Sequence, residues 1–162
     1  MPTDQDKKHW VFRVGVADRA GALTSIASAF SNRGISIDTV VGHGAAYTCT
    51  HDGTVVVTFW CTEEEKDTIV RVVRRLSKVT YLEEHPYDSE SLRKSALVRV
   101  SRKLTPRDVA GRETFLTCEH MGEDRGLHTY FLAGSPSELD PILENLVEQG
   151  ILLDIVYSVV GL

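Results

Sequence analysis

The turn at residues 18–23, Asp-Arg-Ala-Gly-Ala-Leu, is the best candidate for a ligand site in this sequence. It joins a predicted strand to a predicted helix, so the first amide N–H groups of that helix have no partner within it. Gly21 lets the backbone approach a ligand closely, and the amides near Gly21 and Ala22 could bind the carboxylate of an amino acid. Asp18 would bind the ammonium group or cap the helix. The alternative is an ordinary strand-to-helix turn, because a single glycine turn is a weak signal.

Two Cys-x-His sequences form the second candidate site. Cys49 and His51 occupy the same place in the first half of the chain as Cys118 and His120 in the second, at the end of a strand. Residues two apart on a strand share a face, so each pair could bind a soft metal such as zinc. Each half supplies only two of the four ligands of a closed metal site, so a complete site would require the two halves, or two chains, to come together. We therefore predict no metal and interpret each pair as an ordinary cysteine beside a histidine at a hairpin end.

No motif typical of an enzyme occurs in the sequence. A glycine-rich phosphate loop, Gly-x-Ser-x-Gly and His-Glu-x-x-His are all absent. Three glutamates at 63–65 open a predicted helix, where they stabilise its dipole, and basic residues cluster at its other end: Arg71, Arg74, Arg75 and Lys78. We interpret the glutamates as a solvated face rather than acid–base groups, and the basic cluster as a complement to the helix dipole, with docking of an acidic partner as its weaker alternative. The prediction is a protein that is not an enzyme and has no cofactor.

Composition indicates a soluble cytoplasmic protein. The 162 residues suffice for one ordinary domain or two small ones. A net charge of −5 argues against general nucleic-acid binding. No apolar run approaches the roughly 18–20 residues that span a bilayer, and the N-terminus is polar. The three cysteines are widely spaced, which does not suggest disulfides. We therefore expect no membrane and no nucleic-acid partner.

The first half has the pattern βαββαβ, which predicts an antiparallel sheet with both helices on one face. From residue 10, apolar residues alternate in a strand, and the period then changes to that of a helix ended by Gly34. The apolar stripe predicted for this helix is Leu23, Ile26, Ala27 and Phe30. After a loop to Asp52-Gly53, further predictions are a strand at 54–61, a helix opened by Thr62 and Glu65, and a strand at 78–84.

The second half repeats the order of elements with one helix missing. Strands are predicted at 96–101, 115–120, 127–133 and 152–159, with a turn at 122–126. One helix follows Ser135, and its stripe is Leu139, Ile142, Leu143, Leu146 and Val147. Only residues 102–114 separate the first two strands, and Leu104 and Val109 cannot form an amphipathic stripe there. We expect this to leave part of a sheet face uncovered, so that either a partner chain covers it or the domain packs in a non-standard way. Because an exposed apolar face is costly, we expect coverage by another protein surface.

Three segments resemble the ACT domain, a small amino-acid-sensing module, and within it the small regulatory subunit of acetolactate synthase. They are DRAGALTSIASAFSNRGISIDTV at 18–40, RRLSKVTYLEE at 74–84 with RKSALVRV at 93–100, and YSVVGL at 157–162. The resemblance covers nearly the whole chain. It implies an α+β fold in which a ferredoxin-like βαββαβ ACT domain at 8–85 and a linker at 86–94 precede an ACT-like domain at 95–162. The second domain of the family has a full first helix, and this sequence departs from that pattern, so we predict a degenerate ACT-like domain that lacks its first helix.

The resemblance also implies a function. The family binds a branched-chain amino acid, forms dimers through its ACT sheets and modulates a separate catalytic subunit of acetolactate synthase. Its ligand lies between two subunits, one giving the glycine turn and the other the segment after the Arg-Gly stop. Carried over, the ligand residues are Asp18, Ala20, Gly21, Ala22, Leu23, Ser36, Ile37 and Asp38. Ala20 and Ser36 replace the frequent Pro and Asn of the family, so a stand-alone sensor or an assembly protein without a synthase partner is the alternative.

Overall fold

The computed structural model describes residues 6–17, 20–47, 52–110 and 116–161. The chain divides into two compact units, with the boundary between Ser89 and Glu90. No helix in these described ranges is long and apolar enough to span a bilayer. In chain order the elements are β1 (Lys8–Ala17), α1 (Ala22–Ser31), β2 (Ile37–His43), β3 (Asp52–Cys61), α2 (Glu63–Val73), β4 (Val79–Pro86), β5 (Leu92–Val100), β6 (Thr117–Asp124), β7 (Leu127–Gly134), α3 (Pro136–Glu148) and β8 (Leu152–Gly161).

Each unit contains one antiparallel sheet of four strands. The strand order is β2-β3-β1-β4 in the first unit and β6-β7-β5-β8 in the second. Helices α1 and α2 share one core with the first sheet, and α3 packs on the second sheet. The predicted α+β fold of two similar halves is confirmed, and the described part of the second half contains one helix fewer than the first.

The alternation of core-facing residues along β1 determines which face of the first sheet packs against the helices. Phe12 and Val14 are fully buried in the core, where Phe12 makes edge-to-face contacts with Phe30 of α1 and Phe59 of β3 at 6.1 and 4.7 Å. These three rings form the centre of the first core, and aromatic pairs in this geometry add to the burial energy.

Helix α1 buries a stripe that differs from the predicted one. Ile26 and Phe30 are buried as expected, but Ala22 and Ala29 complete the stripe. Leu23, predicted to face the core, is 49% exposed. The helix turns its small residues inward because two alanines beside Ile26 and Phe30 allow it to lie close to the sheet.

The capping boxes predicted for the other two helices are both present. The Glu65 amide donates to Thr62 Oγ1 at 3.3 Å, and the Thr62 amide donates to the Glu65 carboxylate at 2.9 Å. Ser135 and Glu138 form the same pair at the start of α3. In α3 the predicted stripe is buried except for Val147, which is 59% exposed.

The interval 102–110, where a first helix is missing from the second unit, is folded back on the sheet. Leu104 and Val109 are partly buried against the core formed by β5, β7 and α3. The Leu104 amide also donates to the Tyr130 hydroxyl at 3.1 Å. The expectation that another protein must cover this face is therefore wrong for β5 and β7, while β6 stays largely exposed.

A buried carboxylate holds this segment in place. Asp108 is 6% exposed and accepts two hydrogen bonds from the Arg102 guanidinium at 2.8 and 2.9 Å. The amide and the hydroxyl of Thr105 both donate to it at 2.7 Å. Arg102 also donates to the Gln149 side chain beyond the end of α3, at 3.0 Å. Polar bonds thus stabilise a segment whose apolar residues are too few for a helix stripe.

Several boundaries differ from the predicted ones because strands run further than their apolar cores. Asp52-Gly53, expected in a turn, begins β3, and the predicted linker at 86–94 contains the end of β4 and the start of β5. The turn expected at 122–126 contains only Arg125 and Gly126, both with positive φ, as a tight hairpin requires.

Gly15 in β1 is required by a tyrosine ring on the face opposite the helices. A Cβ on Gly15 would lie 2.1 and 2.2 Å from two ring carbons of Tyr81 and 2.8 Å from Thr80 Oγ1. The ring is held from above by the Arg13 guanidinium, 5.3 Å from its centroid. The sheet therefore covers part of this face with its own side chains.

We expect Gly15→Ala to lower the free energy of unfolding by about 1–3 kcal/mol, since the methyl group must displace the ring. Gly42→Ala in β2 is the matched control, because a Cβ there meets nothing closer than 3.7 Å. Urea unfolding monitored by tryptophan fluorescence measures both, as both tryptophans belong to the first unit. In a Tyr81→Ala background the penalty of Gly15→Ala should shrink; equal penalties in the two backgrounds would contradict this explanation.

Candidate functional site

The turn between β1 and α1 has the backbone conformation that a ligand site needs. Gly21 is the N-cap of α1, and its φ of +83° lies in the left-handed region that favours glycine. No described side chain caps this helix end, and its first turn contains no acidic residue. Within the described residues, no side chain therefore competes with an anion for the amides at the start of α1. Asp18 and Arg19, predicted to belong to this turn, lie outside the described residues.

Lys78 contacts this turn, and the sequence analysis did not predict that contact. Its carbonyl accepts the Ala17 amide at 2.8 Å, and its Nζ donates to the Ala20 carbonyl at 2.7 Å. The same Nζ lies 2.9 Å from the position that a Cβ on Gly21 would take. Lys78 thus bonds to the residues on both sides of positions 18–19 and places a positive charge beside the start of α1. Because β4 runs antiparallel to β1, the residue before β4 must lie beside the end of β1. Pairing these two strands from the sequence would therefore have placed Lys78 at this turn.

The second predicted ligand segment, residues 36–38, lies at the other end of the same helix. Gly21 precedes α1 and Ser36 follows it, and the ten residues of α1 span about 15 Å. One chain therefore does not bring the two predicted parts together. A single ligand of amino-acid size can contact both parts only if they come from two chains.

Within the second segment, Ser36 and Asp38 are exposed and Ile37 is half-buried. Ile37 packs against the first core. Asp38 Oδ2 lies 2.9 Å from His9 Nε2, whose ring is stacked between Trp60 and Tyr87 at 4.4 and 3.6 Å. Asp38 thus already contacts a side chain of its own sheet.

The first segment offers mostly backbone to a ligand. The Ala22 side chain is 7% exposed because it belongs to the core, whereas Ala20 and Leu23 are exposed. An open groove leads from Gly21 along α1, with these lining residues: Gly21, Thr24, Ser25, Ser28, Ala29, Asn32, Arg33, Val72 and Leu76. Because the groove is open, a ligand at Gly21 would remain largely hydrated unless a second surface covered it.

Cys118 and His120 share a face of β6, as predicted, but Cys49 and His51 lie outside the described residues. Burial raises the pKa of the Cys118 thiol. Among the residues that the structure describes, no group of three or more His, Cys, Asp or Glu side chains is arranged to hold a metal.

Cys61 is fully buried, and burial raises the pKa of its thiol to about 12, so it stays protonated and unreactive.

Comparison with known proteins gives a fold. No family model and no curated protein matches the sequence. Among solved structures, the acetolactate synthase small subunit from Thermotoga maritima is similar over 96% of both chains, with a TM-score of 0.70 and 17% identity. Both units therefore have an ACT-like fold. The regulatory subunit of aspartate kinase from Thermus thermophilus matches more loosely, over 87% of this chain and 91% of its own, with a TM-score of 0.48 and 14% identity.

For an ACT unit, the Gly21 turn is the feature that corresponds to the ligand segment implied by the sequence resemblance. The structure places Ala20, Gly21, Ala22 and Leu23 together at one end of α1, and Ser36, Ile37 and Asp38 at the other. It adds Lys78 to the first group. These two groups, one at each end of α1, are the two half-sites that the sequence resemblance predicts.

Proposed function

We propose that this chain is a non-catalytic regulatory subunit that binds a small amino acid through its first ACT unit. The observation that carries the proposal is the Gly21 turn, where helix amides, a positive φ and the Lys78 ammonium group occur together. Helix amides and a cation are the partners that a carboxylate prefers. Asp18, two residues before Ala20, supplies the opposite charge for the ammonium group of a zwitterion.

The complete site belongs to a homodimer. Because the two half-sites of one chain are separated by the length of α1, the Gly21 turn of one chain faces residues 36–38 of a second chain. The second chain also covers the open groove beside Gly21, which removes the ligand from water. Ligand binding then favours the dimer, and a ligand that binds one arrangement of chains better than another shifts the population toward it.

The partner in this proposal is the catalytic subunit of acetolactate synthase, and the ligand is a branched-chain amino acid. Support comes from the likeness to the acetolactate synthase small subunit over 96% of both chains and from the three resembling segments of the sequence. The apolar wall formed by Ala29, Val72 and Leu76 suits an aliphatic side chain.

Calorimetric titration with valine, leucine and isoleucine tests the ligand, and analytical ultracentrifugation with and without the ligand tests the dimer. We expect saturable binding of at least one of the three at millimolar concentration or below, with one ligand per Gly21 turn. Adding the chain to the catalytic subunit should then make acetolactate formation sensitive to that ligand. Binding without any effect on the synthase would favour a stand-alone sensor. Absence of binding to all three would contradict the ligand assignment.

A further inference from the structure

The exposed edge of the second sheet brings two histidines together. Strands β6 and β7 form a hairpin in which Glu123 pairs with His128 and His120 pairs with Tyr130. A bulge at Met121 separates these pairs. Paired residues share a face, and residues two apart on β7 do too, so His120 and His128 lie on the same face. Without the extra residue His120 would face the other way, which is how bulges redirect side chains.

The two imidazole rings meet at a distance that metal coordination requires. His120 Nε2 and His128 Nδ1 are 3.3 Å apart. Two nitrogens bound to one tetrahedral Zn²⁺ at 2.0–2.1 Å are about 3.3–3.4 Å from each other. The same separation also permits a hydrogen bond between two neutral imidazoles, one donating and one accepting. The distance alone therefore does not distinguish the two arrangements.

The surroundings favour a cation. The Glu123 carboxylate, 55% exposed, places Oε2 3.8 Å from His128 Nδ1, which adds negative charge beside the pair. The His120 ring lies 4.8 Å from the buried Tyr130 ring, which backs it on the protein side. Cys118, two residues before His120 on the same face, is exposed. His120 is exposed on β6, so an ion can reach its ring from solvent, whereas the His128 side chain is 14% exposed.

We propose that His120 and His128 form a two-histidine site for a late first-row transition metal ion such as Zn²⁺ or Cu²⁺. Imidazole nitrogens are ligands that these ions prefer. Water completes the coordination shell, and Glu123 stabilises the bound charge from outside it. This site belongs to the second unit and is independent of the amino-acid site proposed for the first unit.

Calorimetric titration of the untagged full-length chain with ZnCl₂ and with CuCl₂ tests this site. We expect saturable binding of one ion per chain, tighter for Cu²⁺ than for Zn²⁺, and no comparable binding of Mg²⁺. His120→Gln and His128→Gln should each weaken Zn²⁺ binding at least tenfold. Acidification should weaken it as well, because only neutral imidazoles bind metal.

His85→Gln is the matched control, because His85 Nε2 also lies near a carboxylate, 4.0 Å from Glu83 Oε2, but contacts no second histidine among the residues that the structure describes. It should leave the Zn²⁺ affinity unchanged. Electron paramagnetic resonance of the Cu²⁺ form should show two nitrogen ligands in the parent chain and one in either variant. Absence of stoichiometric binding, binding that survives both substitutions, or equal loss in His85→Gln would overturn the proposal. A circular dichroism spectrum of each variant confirms that it is folded.

Discussion

Asp108→Ala is expected to lower the free energy of unfolding of the second unit by about 2–4 kcal/mol. The substitution removes the acceptor of four hydrogen bonds, two from Arg102 and two from Thr105. Breaking a buried ion pair by deleting one partner commonly costs 3–5 kcal/mol, and here Arg102, 43% exposed, can regain water. The segment that holds Leu104 and Val109 against the core would lose its anchor, which adds to the loss.

Urea unfolding followed by two probes measures this effect. Trp10 and Trp60 both lie in the first unit, so their fluorescence reports on that unit, whereas far-ultraviolet circular dichroism reports on both. We expect Asp108→Ala to shift the circular dichroism transition and to leave the fluorescence transition nearly unchanged. Asp154→Ala, at an exposed position of β8, is the control and should change stability by less than about 0.5 kcal/mol. Similar effects of the two substitutions would show that Asp108 does not anchor the segment.

The same carboxylate makes the stability of the second unit depend on pH. The Arg102 guanidinium and, after it, the Thr105 amide and hydroxyl hold the pKa of Asp108 well below its usual range. A group whose pKa is lower in the folded state stabilises the fold above its unfolded pKa, here about 3.9. That stability is lost as the pH falls through the folded pKa. The parent chain should therefore lose stability from about pH 5 downward more steeply than Asp108→Ala.

Gly21→Ala is expected to reduce the affinity of the proposed amino-acid ligand at least tenfold. A methyl group on Gly21 would occupy the space in front of the helix amides and lie 2.9 Å from the Lys78 Nζ, so the ammonium group would have to move. The positive φ of Gly21 also makes any L-residue unfavourable there, at a cost of about 1–2 kcal/mol. Calorimetric titration with the amino acid that binds the parent chain measures the affinity.

Gly150→Ala separates the loss of stability from the loss of binding. Gly150 ends α3 with a φ of +68°, and a Cβ there would meet no atom within 4 Å. Both substitutions should therefore lower the unfolding free energy of their own unit by a similar amount. Only Gly21→Ala should weaken ligand binding. Unchanged binding in Gly21→Ala would place the ligand away from this turn.

Local patterns predicted the fold because each strand and helix carries its own period. The alternation around Phe12 and the stripe through Ile26 and Phe30 depend only on which residues must face a core. The exact rotation of α1 was not predictable in this way. Alanine and leucine are both compatible with a stripe, and the depth available above the sheet decided between Ala22 and Leu23.

Side-chain contacts between segments distant in sequence were harder to predict than the helices and strands themselves. Lys78 could have been placed beside Ala20 from the antiparallel register alone, once β4 was paired with β1. The Arg102–Asp108 pair could not, because a buried carboxylate is recognisable only when its donors are known. His120 and His128 also required the two-residue turn and the bulge, and the longer turn predicted from the sequence gives no such register.

The place of β1 in its sheet sets the order of events during synthesis. Its two neighbours, β3 and β4, both come later in the chain, and Arg13 and Glu83, joined across β1 and β4, are 70 residues apart. At about 5–20 residues per second, a ribosome needs roughly 4–14 s to make that stretch. Throughout this interval Val11, Phe12 and Val14 have no complete sheet in which to be buried. The nascent first unit is therefore most exposed to aggregation before Pro86 emerges, and it should fold in one late step rather than strand by strand.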